Sequence, residues 1–265
     1  MDVINILLLA TFGSIVALSG GVVFLYKKSW SNWLASYSVP FAAGVLLTVS
    51  LLGLLPEAVE LAGNYAYLVV LMAFVGSYLF ENLFFSIHHH EKDCKNCKHI
   101  GSSIPLIIIG DTVHNFIDGV VIAASYLINP GLGVITAVST FLHEVPHEIG
   151  DFGILLNAGW SRSKTFYVNL FSASTTILGA LLVVYFVSSP QIIGILMSIA
   201  AGLFLYLGAS DFLPHIHEED ITPKKAMISL LLGVFIMAFV VSIVPHGHDT
   251  ENSKGDELVN HEEDS

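Results

Sequence analysis

Asp111-Thr112-Val113-His114-Asn115-Phe116-Ile117-Asp118-Gly119 and His143-Glu144-Val145-Pro146-His147-Glu148-Ile149-Gly150-Asp151 bound the stretch that decides the fold. Each motif sits in a long apolar segment, where a membrane helix least tolerates acids and histidines. His114 and Asp118 are four apart and share one helix face. His143, His147 and Asp151 form a second stripe with the same spacing. Glu144 and Glu148 run beside it, about 100° round the helix. The stretch holds five acids, and no Lys or Arg occurs between Lys98 and Arg162. A carboxylate at the centre of a bilayer helix costs on the order of 3 kcal/mol. Five without a fixed cation point to a mobile one, and imidazole with carboxylate is a ligand set for divalent transition metals.

The composition agrees with a membrane chain. Of 265 residues, 54% are hydrophobic and only 12% charged. A soluble domain carries roughly 25% charged residues. The net charge is −12, and the tail after Pro245 holds seven acids and one lysine. Nothing basic is extensive enough for nucleic acid. The first apolar run, Ile4 to Tyr26, is long enough to span and lacks a basic leader, so it reads as a retained helix and not a cleaved signal.

Eight segments have spanning length. Their approximate limits are 3–26, 40–60, 66–87, 104–128, 132–159, 165–187, 192–213 and 226–245. Lys27 and Lys28 follow the first; Lys92, Lys95 and Lys98 the third; Arg162 and Lys164 the fifth; Lys224 and Lys225 the seventh. Nine of the ten basic residues therefore fall in odd-to-even loops. The positive-inside rule makes those loops cytoplasmic and leaves both termini outside. The expected architecture is an all-α integral membrane bundle of eight helices over residues 1–245, followed by an acidic, disordered tail, 246–265.

Depth follows from length. His114 is ten residues into helix four, roughly 15 Å, and His143 eleven into helix five, roughly 16 Å. Entered from opposite faces, both points lie near the middle of a core about 30 Å thick. The Ile128-Asn129-Pro130-Gly131 turn makes the two helices antiparallel neighbours. Pro146 removes a backbone donor and is expected to open the turn at Leu142, which suits a helix lining a hydrated cavity. Asp111, Glu148 and Asp151 lie toward the cytoplasmic side, where they would line an exit path. Glu81 in helix three reads equally as a cap or a pathway residue. The Phe and Tyr residues of helices three, six and seven read as lipid-facing or interfacial.

Two further features stand apart. The cytoplasmic loop of residues 88–103 carries His88, His89, His90, Cys94, Cys97 and His99, enough to bind or sense metal. A plain solvated connector explains it equally well. Leu55-Pro56 in helix two and Leu213-Pro214 in helix seven superpose with Glu60 on Glu218. The two helices run in opposite directions, as an inverted repeat of helices 1–3 and 6–8 would require, with 4 and 5 between them.

At the helix-four and helix-five motifs the chain resembles the ZIP (Zrt/Irt-like protein) family of divalent metal transporters. The histidine-bearing loop, Ala201-Gly202-x-Phe204-Leu205-Tyr206, Asp211 and Leu213-Pro214 extend the resemblance over essentially the whole chain. It implies a binuclear site at the midplane. His114, Asp118 and His147 would hold one ion. Asn115, Glu144 and again His147 would hold the second, and His143 could join either. Some members add a helix-six carboxylate; here helix six has none, and Ser172 or Asn169 is what remains. The resemblance also implies flow toward the cytosol, a homodimer, and the plasma membrane as the expected location. Zn²⁺, Fe²⁺, Mn²⁺ or Cd²⁺ would be cargo, with no cofactor and no enzymatic step. Two other readings stand beside it. His143-Glu144-x-x-His147 satisfies the zinc-protease signature, with Glu144 as general base. A membrane metal sensor that does not transport would use the loop and tail.

Overall fold

The computed structural model describes residues 2–26, 28–86, 100–215 and 222–243. The described residues form helices and short connections. They are α1 (Asp2–Gly13), α2 (Leu18–Tyr26), α3 (Lys28–Thr48), a π turn (Val49–Leu54), α4 (Leu55–Ala62), α5 (Tyr65–Ser86), α6 (Ile100–Ile128) and α7 (Pro130–Asn157). There follow α8 (Arg162–Phe186), α9 (Pro190–Tyr206), a second π turn (Leu207–Phe212), α10 (Leu213–His215) and α11 (Pro223–Ile243). Among them, six stretches are long and apolar enough to cross a membrane: Asp2–Val22, Tyr37–Ala62, Tyr65–Leu83, Arg162–Phe186, Pro190–Ser210 and Pro223–Ile243. The molecule is an all-helical, multi-pass membrane protein. α6 and α7 are long enough too, at 29 and 28 residues. They carry the two polar motifs.

Three helix boundaries differ from expectation, each for a local reason. Helix one is broken at residues 14–17, where Val16 N–H bonds the Thr11 carbonyl and skips the usual partner one turn back. Helix two does not start at Pro40. Its helical backbone begins at Lys28 and runs through Pro40. An interior proline is tolerated in a membrane helix where neighbouring helices hold the turn, and α3 packs against α11. Helix five likewise runs unbroken through Pro146. The α6–α7 turn is as expected. Asn129 caps α7, its Oδ1 accepting from Gly131 N–H at 2.8 Å and Leu132 N–H at 3.4 Å, with Pro130 as the first helical residue.

The two π turns share a register. Val49–Leu54 precedes Leu55-Pro56, and Leu207–Phe212 precedes Leu213-Pro214. Leu55 N–H bonds the Ser50 carbonyl and Leu213 N–H bonds the Gly208 carbonyl, both five residues back. The widened turn relieves the clash that a proline ring makes with the preceding turn. One offset of 158 positions relates the prolines, the π turns, and the starts of α5 and α11. It also relates Gly44, which packs on α11, to Gly202, which packs on α5.

Packing rests on bare backbone contacts, as expected where lipid provides no hydrophobic drive between helices. α6 meets α8 at a reciprocal pair: a Cβ on Gly119 would lie 1.8 Å from the Thr176 carbonyl oxygen, and one on Gly179 2.0 Å from that of Phe116. α3 meets α11 in the same way at Gly44 and Gly233, where a Cβ would lie 2.3 and 2.2 Å from the Leu230 and Phe41 carbonyl oxygens. α7 lies between these pairs, touching α1, α2, α3 and α6. α5 is peripheral, with only 11% of its span buried against 61% for Tyr37–Ala62. Leu68, Leu71, Met72, Val75, Leu79 and Leu83 of α5 are exposed, an apolar outer surface. Glu81 accepts a hydrogen bond from the Tyr206 hydroxyl. It is a strut between α5 and α9 and caps no helix.

Gly119→Ala forces a methyl into a carbonyl and is expected to cost upward of about 3 kcal/mol. Gly76→Ala in α5 meets nothing within 4 Å. Thermal unfolding in detergent should show a large drop for Gly119→Ala and no drop for Gly76→Ala. Equal melting temperatures would refute the close α6–α8 contact.

Candidate metal centre

α6 presents Asp111, His114, Asn115 and Asp118 at i, i+3, i+4 and i+7, a single helical face. That face meets α7. His114 Nε2 and His143 Nε2 stand 3.3 Å apart, so the two helices bring their histidines together as their lengths predicted.

The side chains divide into two groups. The first comprises His114, Asp118, His143 and Glu144. His114 Nε2 lies 3.1 Å from Glu144 Oε1 and 3.7 Å from Asp118 Oδ2. His143 Nε2 lies 3.4 Å from Asp118 Oδ2 and 3.8 Å from Glu144 Oε1. Four ligands about 2.05 Å from a tetrahedral ion are about 3.3 Å apart. The observed separations bracket that edge, so one ion could sit among the four atoms. Asp118, His143 and Glu144 are fully buried. None of the four oxygens of Asp118 and Glu144 has a hydrogen-bond partner among the described residues. Such atoms are costly unless something else satisfies them. His143 Nδ1 lies 2.8 Å from the Ser139 carbonyl oxygen. A carbonyl only accepts, so Nδ1 carries a proton and Nε2 is the nitrogen directed at the cluster. This outer contact is typical of metal-bound histidine.

The second group is Asp111, His147 and Asp151. His147 Nδ1 lies 3.8 Å from Asp111 Oδ1 and 3.9 Å from Asp151 Oδ2. The resemblance implied that His147 joins His114 and Asp118 on one ion. In the structure His147 lies one turn along α7 from His143, about 6 Å by helix rise. Its ring stacks on that of His114 at 5.3 Å, while its Nδ1 turns to the two aspartates. His143, left open between two ions, belongs to the first group. Glu148 belongs to neither group. It is 1% exposed, and both its oxygens lack a partner among the described residues.

Asn115 differs most from what the resemblance implied. Its Oδ1 accepts from the Ser14 hydroxyl at 2.6 Å and the Thr176 hydroxyl at 3.2 Å. A carbonyl oxygen has two lone pairs, and both are engaged. Its amide donates to Asp111 Oδ1 at 2.9 Å. Asn115 thus orients Asp111, and both lone pairs of its oxygen are engaged by hydroxyls in this structure. The break in helix one places Ser14 for this contact, and Ser14 also donates to the Ala173 carbonyl at 2.9 Å.

Sequence reasoning missed this support and the cover from helix seven. A hydroxyl in an apolar helix is a weak signal, and nothing local in the sequence marks Ser14 or Thr176. Phe204 is fully buried with its ring 5.3 Å from that of His143, and Phe212 lies 6.4 Å from His147. These two aromatics cover the histidines and do not face lipid; Phe171, Tyr185 and Phe186 of helix six are exposed as expected. The Asp211 side chain, the His88–His99 loop with Cys94 and Cys97, His217-Glu218-Glu219 and the acidic tail lie outside the described residues.

Comparison with known proteins agrees with this site. Residues 92–241, which include both motifs, match the family model described as ZIP zinc transporter. The chain is 36% identical over 138 residues to zinc transporter foi of Drosophila melanogaster, covering 51% of this chain and 20% of that protein. It is 38% identical over 132 residues to human zinc transporter ZIP4, covering 50% and 20%. It is 37% identical over 136 residues to the human metal cation symporter ZIP14, covering 50% and 27%. The chain thus spans about a fifth to a quarter of the length of these relatives. With the family model matching more than half of the chain, across the helices that build the site, this protein belongs to the ZIP zinc transporter family.

Proposed function

We propose that the chain carries divalent transition-metal ions, zinc foremost, across a membrane toward the cytoplasm. The observation that carries this reading is the first group: two imidazole nitrogens and two carboxylate oxygens, buried between α6 and α7 at zinc-sized spacing. His114, Asp118, His143 and Glu144 are the ligands in this reading. The relatives' names, zinc transporter and metal cation symporter, support the cargo class.

The finer architecture belongs to the same proposal. Eight spans arise when α1–α2, α3–α4, α5, α6, α7, α8, α9–α10 and α11 each count once. The lysine pattern then puts both termini outside. The 158-position offset, with α3 on α11 and α9 on α5, is what a 3+2+3 inverted repeat would produce. α6 and α7, which carry the site, stand outside the repeat. The plasma membrane and a homodimer complete the reading.

The protease alternative fits the geometry less well. It needs His143 and His147 on one ion with Glu144 free as base. Here His143 Nε2 and His147 Nδ1 face different groups, and Glu144 Oε1 is 3.1 Å from His114 Nε2.

His114→Ala and His143→Ala should each reduce zinc uptake at matched surface expression by more than the ~10-fold that loss of an outer contact costs. Wild-type uptake in both variants would defeat the proposal. Removing residues 88–99 should leave substantial flux, because the reading puts that loop on the cytoplasmic side, away from the site. Abolished flux in a folded deletion would contradict it.

Uptake should also fall with acidity. A protonated imidazole has no lone pair for a metal, so protons and zinc compete for the same atoms. Apparent zinc affinity should weaken as external pH falls from about 7.5 to about 5.5, bracketing the reference histidine value near 6.5. The acidic tail concentrates cations and would mask the trend, so the comparison uses a chain ending near Pro245. A flat profile would show that histidines do not carry the site.

A further inference from the structure

Glu81 is the starting point, because the metal centre does not use it. It lies in α5, an apolar helix with 11% of its span buried, where an ionisable side chain is costly and calls for a partner. Its carboxylate accepts a hydrogen bond from the Tyr206 hydroxyl, and Tyr206 is buried. Tyr206 is the last residue of α9, and the second π turn, Leu207–Phe212, begins at the next position. The Tyr206 ring also meets Phe74 of α5 edge-on at 5.7 Å. One turn earlier, Gly202 lies against α5, where a Cβ would stand 2.4 Å from the Val70 carbonyl oxygen. These contacts hold α9 on α5 up to Tyr206, the foot of the π turn.

The aromatic walls of the histidines lie on either side of that foot. Phe204, two residues before Tyr206, is fully buried with its ring 5.3 Å from that of His143. Phe212, at the far end of the π turn, stands 6.4 Å from His147. A π turn closes its hydrogen bonds one residue wider than an α turn. Where such a turn slides along a helix, each residue it passes over rotates by about 100°. Pro214 keeps the turn before it wide and bars movement in its own direction. The movement left is back into α9, over Tyr206 and then Phe204, and it would swing both phenyl rings off the histidines.

We infer that Glu81 and Tyr206 are positioning residues for transport, whose hydrogen bond keeps the second π turn in place so that Phe204 and Phe212 face His143 and His147. The inference rests on the transport reading for its purpose, and its geometry lies outside the metal centre. The internal repeat supports it. Under the offset of 158 positions, Thr48 matches Tyr206, Leu54 matches Phe212 and Phe239 matches Glu81. Thr48 donates to the Gly44 carbonyl of its own helix at 2.7 Å, Phe239 is exposed, and Leu54 packs in the apolar core. The first π turn is thus seated by packing and has no acid at the matching position. The second has a polar site beside it, where packing alone leaves rotation about the helix axis free. A hydrogen bond depends on direction and fixes that rotation. With the rings turned away, water reaches the carboxylates and donates to the oxygens that an ion needs.

The test places 4-fluorophenylalanine at 204, 212 or 171 of the full chain in detergent and records ¹⁹F spectra. Position 171 is on the exposed face of α8 and serves as the control. At 204 and 212 the expected spectrum has a major resonance for the seated ring and a minor one for the displaced ring. Tyr206→Phe keeps the ring and removes only the hydroxyl; Glu81→Leu removes the acceptor. Both should raise the minor-to-major ratio about fivefold, the shift that one net hydrogen bond produces. Glu81→Gln retains an acceptor oxygen and should keep the wild-type ratio. Apparent zinc affinity for uptake should weaken in proportion to the seated fraction. A purely structural defect would instead lower the maximal rate through fewer folded transporters. A single resonance or an unchanged ratio at 212 in Tyr206→Phe and Glu81→Leu overturns the inference. So does an equal change at 171, which would mean general loosening, or Glu81→Gln behaving as Glu81→Leu, which would make the charge and not the bond responsible. Shifted ratios with unchanged apparent zinc affinity overturn the role in transport. The transport reading itself fails by a different result, undiminished uptake in His114→Ala and His143→Ala.

Discussion

Carboxylates without donors are the constraint on which this structure depends. Asp118 and Glu144 are fully buried, and none of their oxygens receives a hydrogen bond among the described residues. A protein that needed these acids only for packing would have matched them with hydroxyls or amides, as it does for Asn115. The neighbours are instead imidazoles whose free nitrogens face the acids across gaps of 3.1 to 3.8 Å. Apart from the 3.1 Å His114–Glu144 approach, the distances are too long for hydrogen bonds and suit an ion between the groups. What surrounds the site holds those gaps open.

That scaffold is built from small residues. Gly119 follows Asp118 directly, and its missing side chain lets the Thr176 carbonyl come within a distance no Cβ would allow. The same approach brings the Thr176 hydroxyl to Asn115. One glycine thus seats α8 against α6 and connects Asn115 to helix six. On the other side, Gly20 and Gly21 of α2 let Val145 and Phe152 of α7 come close. The two motif-bearing helices are gripped through glycines on both flanks. This positions long polar side chains without needing hydrophobic attraction, which lipid does not supply.

The pairing of α6 with α7 was legible in the sequence because it depends on helix rise and a short Asn-Pro turn, both local. The ligand types were legible because acids in an apolar run have no bland explanation. The division into two groups was not. Residues 143, 144 and 147 all fall on one broad face, and spacing alone cannot say which atom of His147 turns which way. The role of Asn115 was hidden for a different reason. Its two donors, Ser14 and Thr176, come from helices 101 and 61 residues away in the chain. The π turns were half legible: both Leu-Pro pairs were visible, but a π turn has no composition of its own and arises from the conflict between a proline ring and the turn before it.

The aromatic cover shows how far composition misleads in a membrane chain. Phe204 and Phe212 lie in a helix that faces lipid along part of its length, and a phenylalanine there is as content with lipid as with protein. Only the histidines decide the matter. A neutral imidazole with its lone pair held toward carboxylates needs its remaining surface dry, since water would donate to those carboxylates and weaken the attraction for an ion. A phenyl ring excludes water without offering a competing hydrogen bond. Phe204 does this for His143 at 5.3 Å, and the looser 6.4 Å contact of Phe212 leaves His147 partly exposed. The first group is thus the more enclosed, with Asp118, His143 and Glu144 fully buried, and the second is more open at His147.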